Sequence, residues 1–484
     1  MSRSVMPLQF VREAPLLLNW PAWLNVRMAL IAGSVVAFPV LQQLLGLDAA
    51  VGLALGIVLV ALLILRPDIS LASTLAVSVI FARQFPLPRA PMGIRFIDLA
   101  LAILLLWWIA QLSRKEKERV RSSSRALDCA ILVFLGMVVL GALQGFIAEG
   151  QRSQALVELF RILPLALYFP ATFLLARSSV RWRVLWWVVV AGAIASAWSV
   201  NASLTGGVTQ LEVDFRQLDN NLAGRYGDIL RPNQLTSTNY FAILPVLVLL
   251  LGSRSGRMGR LVLAACLILA ASALVVDLNR TRWLEAGLAL VLWWILRRPK
   301  PAFRLRHALG VGPMAIVLLA TLAVTIQFAA GGAVLDRVAV LDKPLGIGGV
   351  VYRMSEGDVL LDGFLRAPVL GQGLGWSYIV LDPVTNLPRQ TALWHNDFLF
   401  ALAKLGIGGF AAFVAVMFIA MIEGWHVVRC TTDESTRMVV GAMVAILVSS
   451  ILPTLTHSSI LSPDYVAFVA FALAEISVEA QRCR

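Results

Sequence analysis

His395 sits in WHNDFLFALAKLGIGGF, residues 394–410, where a polar triplet meets the mouth of an apolar helix. If that helix begins near Asp397, Asn396 is its N-cap and the positive end of the helix dipole lies beside the imidazole. Such a field favours the neutral ring, which can accept a proton, so the setting suits a general base. The competing reading is an interfacial histidine that satisfies a loop carbonyl. Gly406 and Gly409 lie deeper along the same helix and read as small residues for close helix contact. Lys404, two turns in, can snorkel, pair with a buried acid or meet an anionic substrate. Glu158 and Arg161 read as an intrahelical pair.

Arginines supply a second chemistry. Arg225 and Arg231 stand in AGRYGDILRPNQ, and Arg280 and Arg282 in the short turn DLNRTRWLEA between two apolar runs. A guanidinium grips phosphate oxygens at two points, so several near one membrane face suit a pyrophosphate. Pairing of Arg282 with Glu285 and of Arg280 with Asp277 is the alternative. GQGLGWS, residues 371–377, lacks the lysine-serine pair and strand-helix setting of a P-loop and reads as a tight turn after Pro368. Glu356, Asp358 and Asp362 have the spacing of one solvated helix face, which is preferred to a metal site.

These residues need elements to hold them, and the composition names the kind. Of 484 residues 59% are hydrophobic and 14% charged, with mean hydropathy +0.81. Soluble domains run nearer about 45–50% apolar, so this is a polytopic membrane protein, all-α in class. Apolar runs spaced along the chain give about 12–14 transmembrane helices. The net charge of +13 lies in short loops such as RKEKERVRSSSR (114–125), RSSVRWR (177–183), SRSGRMGR (253–260) and RRPKPAFRLRH (297–307). With the N-terminus inside, all four fall on the cytoplasmic face, and topology explains the charge without nucleic acid. The turn carrying Arg280 and Arg282 then faces outward, against the rule. Two longer loops, about 204–234 and 331–396, share that outer face, and the second has enough apolar residues to be ordered. Cys129 and Cys266 lie in apolar runs, Cys430 in a short loop and Cys483 in the tail, so neither a disulfide framework nor a zinc site is expected.

In this order the motifs resemble the O-antigen ligase superfamily, which includes Wzy-type O-antigen and exopolysaccharide polymerases. His395-Asn396 followed by Gly406 and Gly409 is similar to the family's histidine motif at the end of its large periplasmic loop. Arg353 with Ala367-Pro368-Val369-Leu370-Gly371-Gln372-Gly373-Leu374-Gly375 resembles the upstream part of that loop. Arg225-Tyr226-Gly227 with Pro232-Asn233 resembles the entry to a span, the glycine coming one residue early, so Arg225 and Arg231 both stand as the phosphate ligand. Arg280-Thr281-Arg282-Trp283-Leu284 resembles a further family motif with Asn279 in place of serine.

The resemblance implies a GT-C-like membrane glycosyltransferase of the bacterial inner membrane, multi-pass, with its site facing the periplasm. It divides the chain into N-terminal helices (1–200), a catalytic region (201–425) and C-terminal helices (426–484). It implies a metal-independent, inverting transfer from an undecaprenyl-pyrophosphate-linked glycan, with no cofactor. His395 would activate the acceptor, Arg225 and Arg280 would hold the pyrophosphate, and Arg231, Arg282 and Arg353 are further ligand candidates; Asn396, Gly406 and Gly409 support the site. The acceptor is another glycan in a polymerase, slightly favoured on chain length, or lipid A-core in a ligase. A chain-length regulator is a conceivable partner. A polysaccharide-lipid transporter remains as the non-enzymatic alternative.

Overall fold

The computed structural model describes residues 66–81, 96–113, 123–148, 151–205, 225–226, 229–230, 239–252, 257–276, 280–297, 347–381, 388–391, 395–454, 461 and 465–484. Of the apolar runs that give the expected spans, those at 26–46, 49–65 and 308–330 lie outside the described residues, as do Trp394 and Arg231.

The described chain is mostly helical. In order it forms α1 (Pro67–Phe81), α2 (Phe96–Ser113), α3 (Arg125–Ile147), α4 (Arg152–Ile162), a 3-10 turn (Leu163–Leu167), α5 (Tyr168–Leu175) and α6 (Ser178–Thr205). A two-residue ribbon follows, β1 (Arg225–Tyr226) with β2 (Ile229–Leu230), then α7 (Asn239–Gly252), α8 (Arg257–Val276) and α9 (Arg280–Arg297). The large loop contributes α10 (Ile347–Arg366) and an antiparallel hairpin, β3 (Tyr378–Leu381) with β4 (Pro388–Thr391). The chain closes with α11 (Asp397–Cys430), α12 (Glu434–Thr454) and α13 (Val466–Cys483).

Five described helical stretches are long and apolar enough to cross a membrane: Arg125–Ile147, Arg152–Leu175, Ser179–Ala197, Asp397–Cys430 and Glu434–Ile451. The protein is membrane-embedded. Arg152–Leu175 is broken in the middle because Pro164 has no N–H to give the helical ladder, and the chain tightens into the 3-10 turn there.

Burial sorts the helices. Residues Val466 to Ala480 of α13 are all buried, the first nine of them apolar, so this helix forms the centre of the bundle. On α3, Leu127, Ile131, Phe134, Val138, Gly141 and Gly145 make a buried stripe at three- and four-residue steps. Leu132, Val139, Leu140 and Leu143 on its other side are exposed, as expected of a surface that meets lipid rather than water.

The end of the bundle carrying the C-termini of α11 and α13 is tied by polar groups. Arg181 forms salt bridges to Glu475 and Glu479 of α13, and Ser124 Oγ donates to Glu423. Tyr168 OH lies 2.6 Å from Asp128 Oδ1 and 2.8 Å from Ser477 Oγ. Cys430 and Cys483 form a disulfide with their Cα atoms 6.2 Å apart. This is a single bridge and not a framework, and spacing along the sequence hid it because the two helix ends converge only in space.

Candidate active site

Over its described residues the large loop forms a helix and a hairpin, and so is not a set of helices alone. Helix α10 packs against α11, and the hairpin β3–β4 packs on α10. A cluster of Leu360, Tyr378, Val380 and Ala403 joins them, with Trp376 and Leu399 at its margin. This small core holds the site's side chains.

Helix α11 begins at Asp397, and the Asn396 side chain accepts the Leu399 N–H at 3.0 Å, the cap the sequence called for. His395 stands one residue before the cap, its side chain 33% exposed. Nδ1 of His395 lies 2.9 Å from Glu356 Oε2. Glu356 is buried, and its other oxygen accepts from the Tyr378 hydroxyl at 2.7 Å. An ionised carboxylate can only accept, so in the contact with ionised Glu356 the shared proton belongs to Nδ1, which leaves Nε2 as the ring's second nitrogen. Tyr378, Glu356 and His395 therefore form a chain of contacts in which a buried acid, itself held at both oxygens, orients a partly exposed imidazole.

Glu356 is buried against His395 and Tyr378, which corrects the expectation that it stands on a solvated face. Asp362 does face solvent, its carboxylate paired with Arg366 at 2.5 Å. The one local signal for Glu356 was its position three residues after Arg353, on the same face of α10. Arg353 is half-buried and makes no side-chain hydrogen bond or ion pair among the described residues. Burial lowers its guanidinium from the ordinary value while the Glu356 charge opposes that shift, and an arginine remains cationic regardless.

The glycine-rich segment is more than a turn. Gly371, Gly373 and Gly375 all have positive φ, and Gly406 breaks α11 with φ 66° and ψ −169°. The two irregularities fit each other: Gln372 N–H donates to Ala403 O at 2.9 Å, Gly373 N–H to Lys404 O at 3.0 Å, and Ile407 N–H to Pro368 O at 2.9 Å. The loop thereby takes up backbone groups that the break in α11 leaves without helical partners. On its other side Leu374 N–H donates to Gly141 O of α3 at 2.8 Å. Lys404 is fully buried and meets Glu158 Oε1 at 2.5 Å, while Glu158 Oε2 accepts the Gly375 N–H at 2.9 Å. Of the three roles open to Lys404, pairing with a buried acid is the one found. Gly406 is a hinge for this docking, beyond simple helix packing.

The first turn of α9, which begins at Arg280, lies at the same end of the bundle as His395. Trp293 near the end of α9 donates to Met438 O near the start of α12, at 3.0 Å, and Glu285 near the start of α9 accepts from Ser450 near the end of α12, at 3.1 Å. These helices are antiparallel. A three-residue connection turns α11 back into α12, so the first turns of α9 and α11 share one end. Leu461 N–H donates to Asp397 at 3.2 Å, and the Tyr465 ring lies 4.6 Å from Arg282. The four steps from Leu461 to Tyr465 span at most about 14 Å, so α9 and α11 are anchored on one short stretch.

Arg282 is buried and salt-bridged to Glu285 at 2.8 Å, the pairing weighed as its alternative. Arg280 is the first residue of α9. Arg225 opens β1, opposite Leu230, in a ribbon beside α6. Gly409 lies on the buried side of α11. Among the described residues, no three His, Cys, Asp or Glu side chains group as a metal site. No family model matches the chain, and no curated protein matches its sequence.

Proposed function

We propose that this protein is a glycosyltransferase of the O-antigen ligase and polymerase superfamily, moving a glycan from undecaprenyl pyrophosphate to a sugar hydroxyl at the periplasmic face of a bacterial inner membrane. The observation that carries this reading is the His395–Glu356 contact, because a base of fixed tautomer is what an unreactive hydroxyl requires. His395 Nε2 takes the acceptor proton as the acceptor oxygen bonds to the anomeric carbon. The bond from that carbon to the pyrophosphate breaks, and the lipid pyrophosphate leaves with the electron pair. Attack from the side opposite the leaving group inverts the anomeric centre. Arg353 and the arginines of the outer turn and ribbon, Arg280 and Arg225, are the groups suited to the charge growing on the pyrophosphate.

Guanidinium groups can carry that charge without a divalent ion, so activity should persist in chelator. The test is transfer from a lipid-linked glycan by purified protein and its His395→Ala variant. Equal rates would refute the assignment. A glycan profile of a deletion strain then tells the two branches apart: single repeats on the surface lipid mark a lost polymerase, and long chains stranded on the carrier lipid a lost ligase.

A further inference from the structure

A concave site lies away from His395, at the arginine-rich end of the bundle that the positive-inside rule assigns to the cytoplasm. There α1, α2, α5 and α6 border a pocket of about 310 Å³ whose polar side is made by Arg66, Asp68, Arg177 and Arg183. Arg66 Nε lies 3.2 Å from Asp68 Oδ1, and Arg183 donates to Asp68 Oδ2 at 2.6 Å. One carboxylate against three guanidinium groups leaves an excess of two positive charges. Arg177 is exposed, and its side chain makes no hydrogen bond or ion pair among the described residues. The apolar side is aromatic: Trp107 and Phe173 meet edge to face, their centroids 5.4 Å apart. Trp107 lies on α2, where the neighbouring Leu106 and Ile109 are exposed and so meet lipid in a membrane.

Arginines that served only to orient the chain could stand anywhere in the inner loops. Here three converge on one cavity with an aromatic wall. We propose that this pocket binds an anionic phospholipid, its phosphate between Arg177 and the Arg66–Asp68–Arg183 group and its acyl chain along Trp107 and Phe173. Basic pockets between membrane helices on this face suit such headgroups, and the apolar wall favours a lipid over free phosphate. The site is independent of the transfer reaction.

The test is native mass spectrometry of the full chain in detergent, titrated with dioleoylphosphatidylglycerol, dioleoylphosphatidylcholine or inorganic phosphate. Phosphatidylglycerol is expected to bind more tightly than phosphatidylcholine, and millimolar phosphate is not expected to displace it. Arg177→Gln should weaken phosphatidylglycerol about fivefold, the factor one arginine beside an anionic surface contributes, and Arg177→Lys should keep most of it. Equal binding of the two lipids by the unaltered protein overturns the proposal, as does displacement by phosphate alone. An unchanged affinity in Arg177→Gln does the same.

Discussion

Nδ1 of His395 and Oε2 of Glu356 are 2.9 Å apart, though 39 residues separate them in the chain. On the transferase reading proposed above, the contact gives Glu356 a positioning role. Glu356→Gln keeps the shape but removes the charge that stabilises a protonated ring, so kcat should fall about 10²-fold or more with KM little changed. Tyr378→Phe removes one hydrogen bond to that carboxylate and should cost about tenfold. Glu356→Asp should recover part of the Gln loss. Loss of folded protein with normal turnover by the remainder would reduce the contact to a structural one.

The same contact shows what a sequence can and cannot carry. Asn396 as a cap and the entry of α11 at Asp397 were legible because capping is local. The membrane class was legible because apolar length is additive along the chain. Glu356 was not, since its neighbours Asp358 and Asp362 are exposed and its partners come from β3 and from the residue before the α11 cap. Lys404 carried a warning in its depth, but its partner Glu158 lies 246 residues away. The hairpin β3–β4 escaped an all-helical reading because two four-residue strands give too short an alternation to stand out.

Breaking the buried Lys404–Glu158 pair should be costly. Lys404→Met leaves the Glu158 carboxylate uncompensated and should destabilise by about 3–5 kcal/mol. Lys404→Met with Glu158→Gln removes both charges and should restore much of that loss, though the Gly375 N–H then meets a weaker acceptor. Thermal unfolding in detergent reads both. Additive losses in the double variant would mean the two groups are not coupled.

Glycine at 406 answers to backbone geometry. Its φ of 66° is unfavourable for any other residue, and an added Cβ would stand 2.3 Å from Val369 O. Gly406→Ala should therefore lower the melting temperature and disturb the docked loop. Gly287 makes the control, lying within α9 with nothing within 4 Å of an added Cβ. There alanine should stabilise by about 0.5–1 kcal/mol through helix propensity. Equal effects at the two positions would contradict the fitted break in α11.

Asp433 predicts a pH dependence outside the membrane spans. Burial raises its carboxyl, but hydrogen bonds from the Ser435 and Thr436 hydroxyls and backbone N–H groups outweigh that and hold it below its ordinary value. A depressed carboxylate contributes stability above its unfolded value and loses it as pH falls through the folded one. The first turn of α12 should loosen in acid, below the usual aspartate range. Asp433→Ala should cost about 1 kcal/mol near neutrality, as for a lost helix cap, and flatten that acid response. The same acid response in the variant would assign it elsewhere.

Arg282 and Arg353 should part company under mutation. Arg282 is buried against Glu285 and the Tyr465 ring, so Arg282→Ala leaves a buried carboxylate without its cation and should cost about 3–5 kcal/mol of stability. Arg353 has no such pairing among the described residues and lies one turn from Glu356. On the transferase reading, Arg353→Ala should leave the melting temperature nearly unchanged and weaken binding of the lipid-pyrophosphate donor. Arg353→Lys should recover little of that binding, because a single ammonium cannot grip two phosphate oxygens. Donor affinity and melting temperature measured on both variants decide it: if Arg282→Ala loses donor binding while staying stable, the phosphate contact belongs to the turn and not to α10.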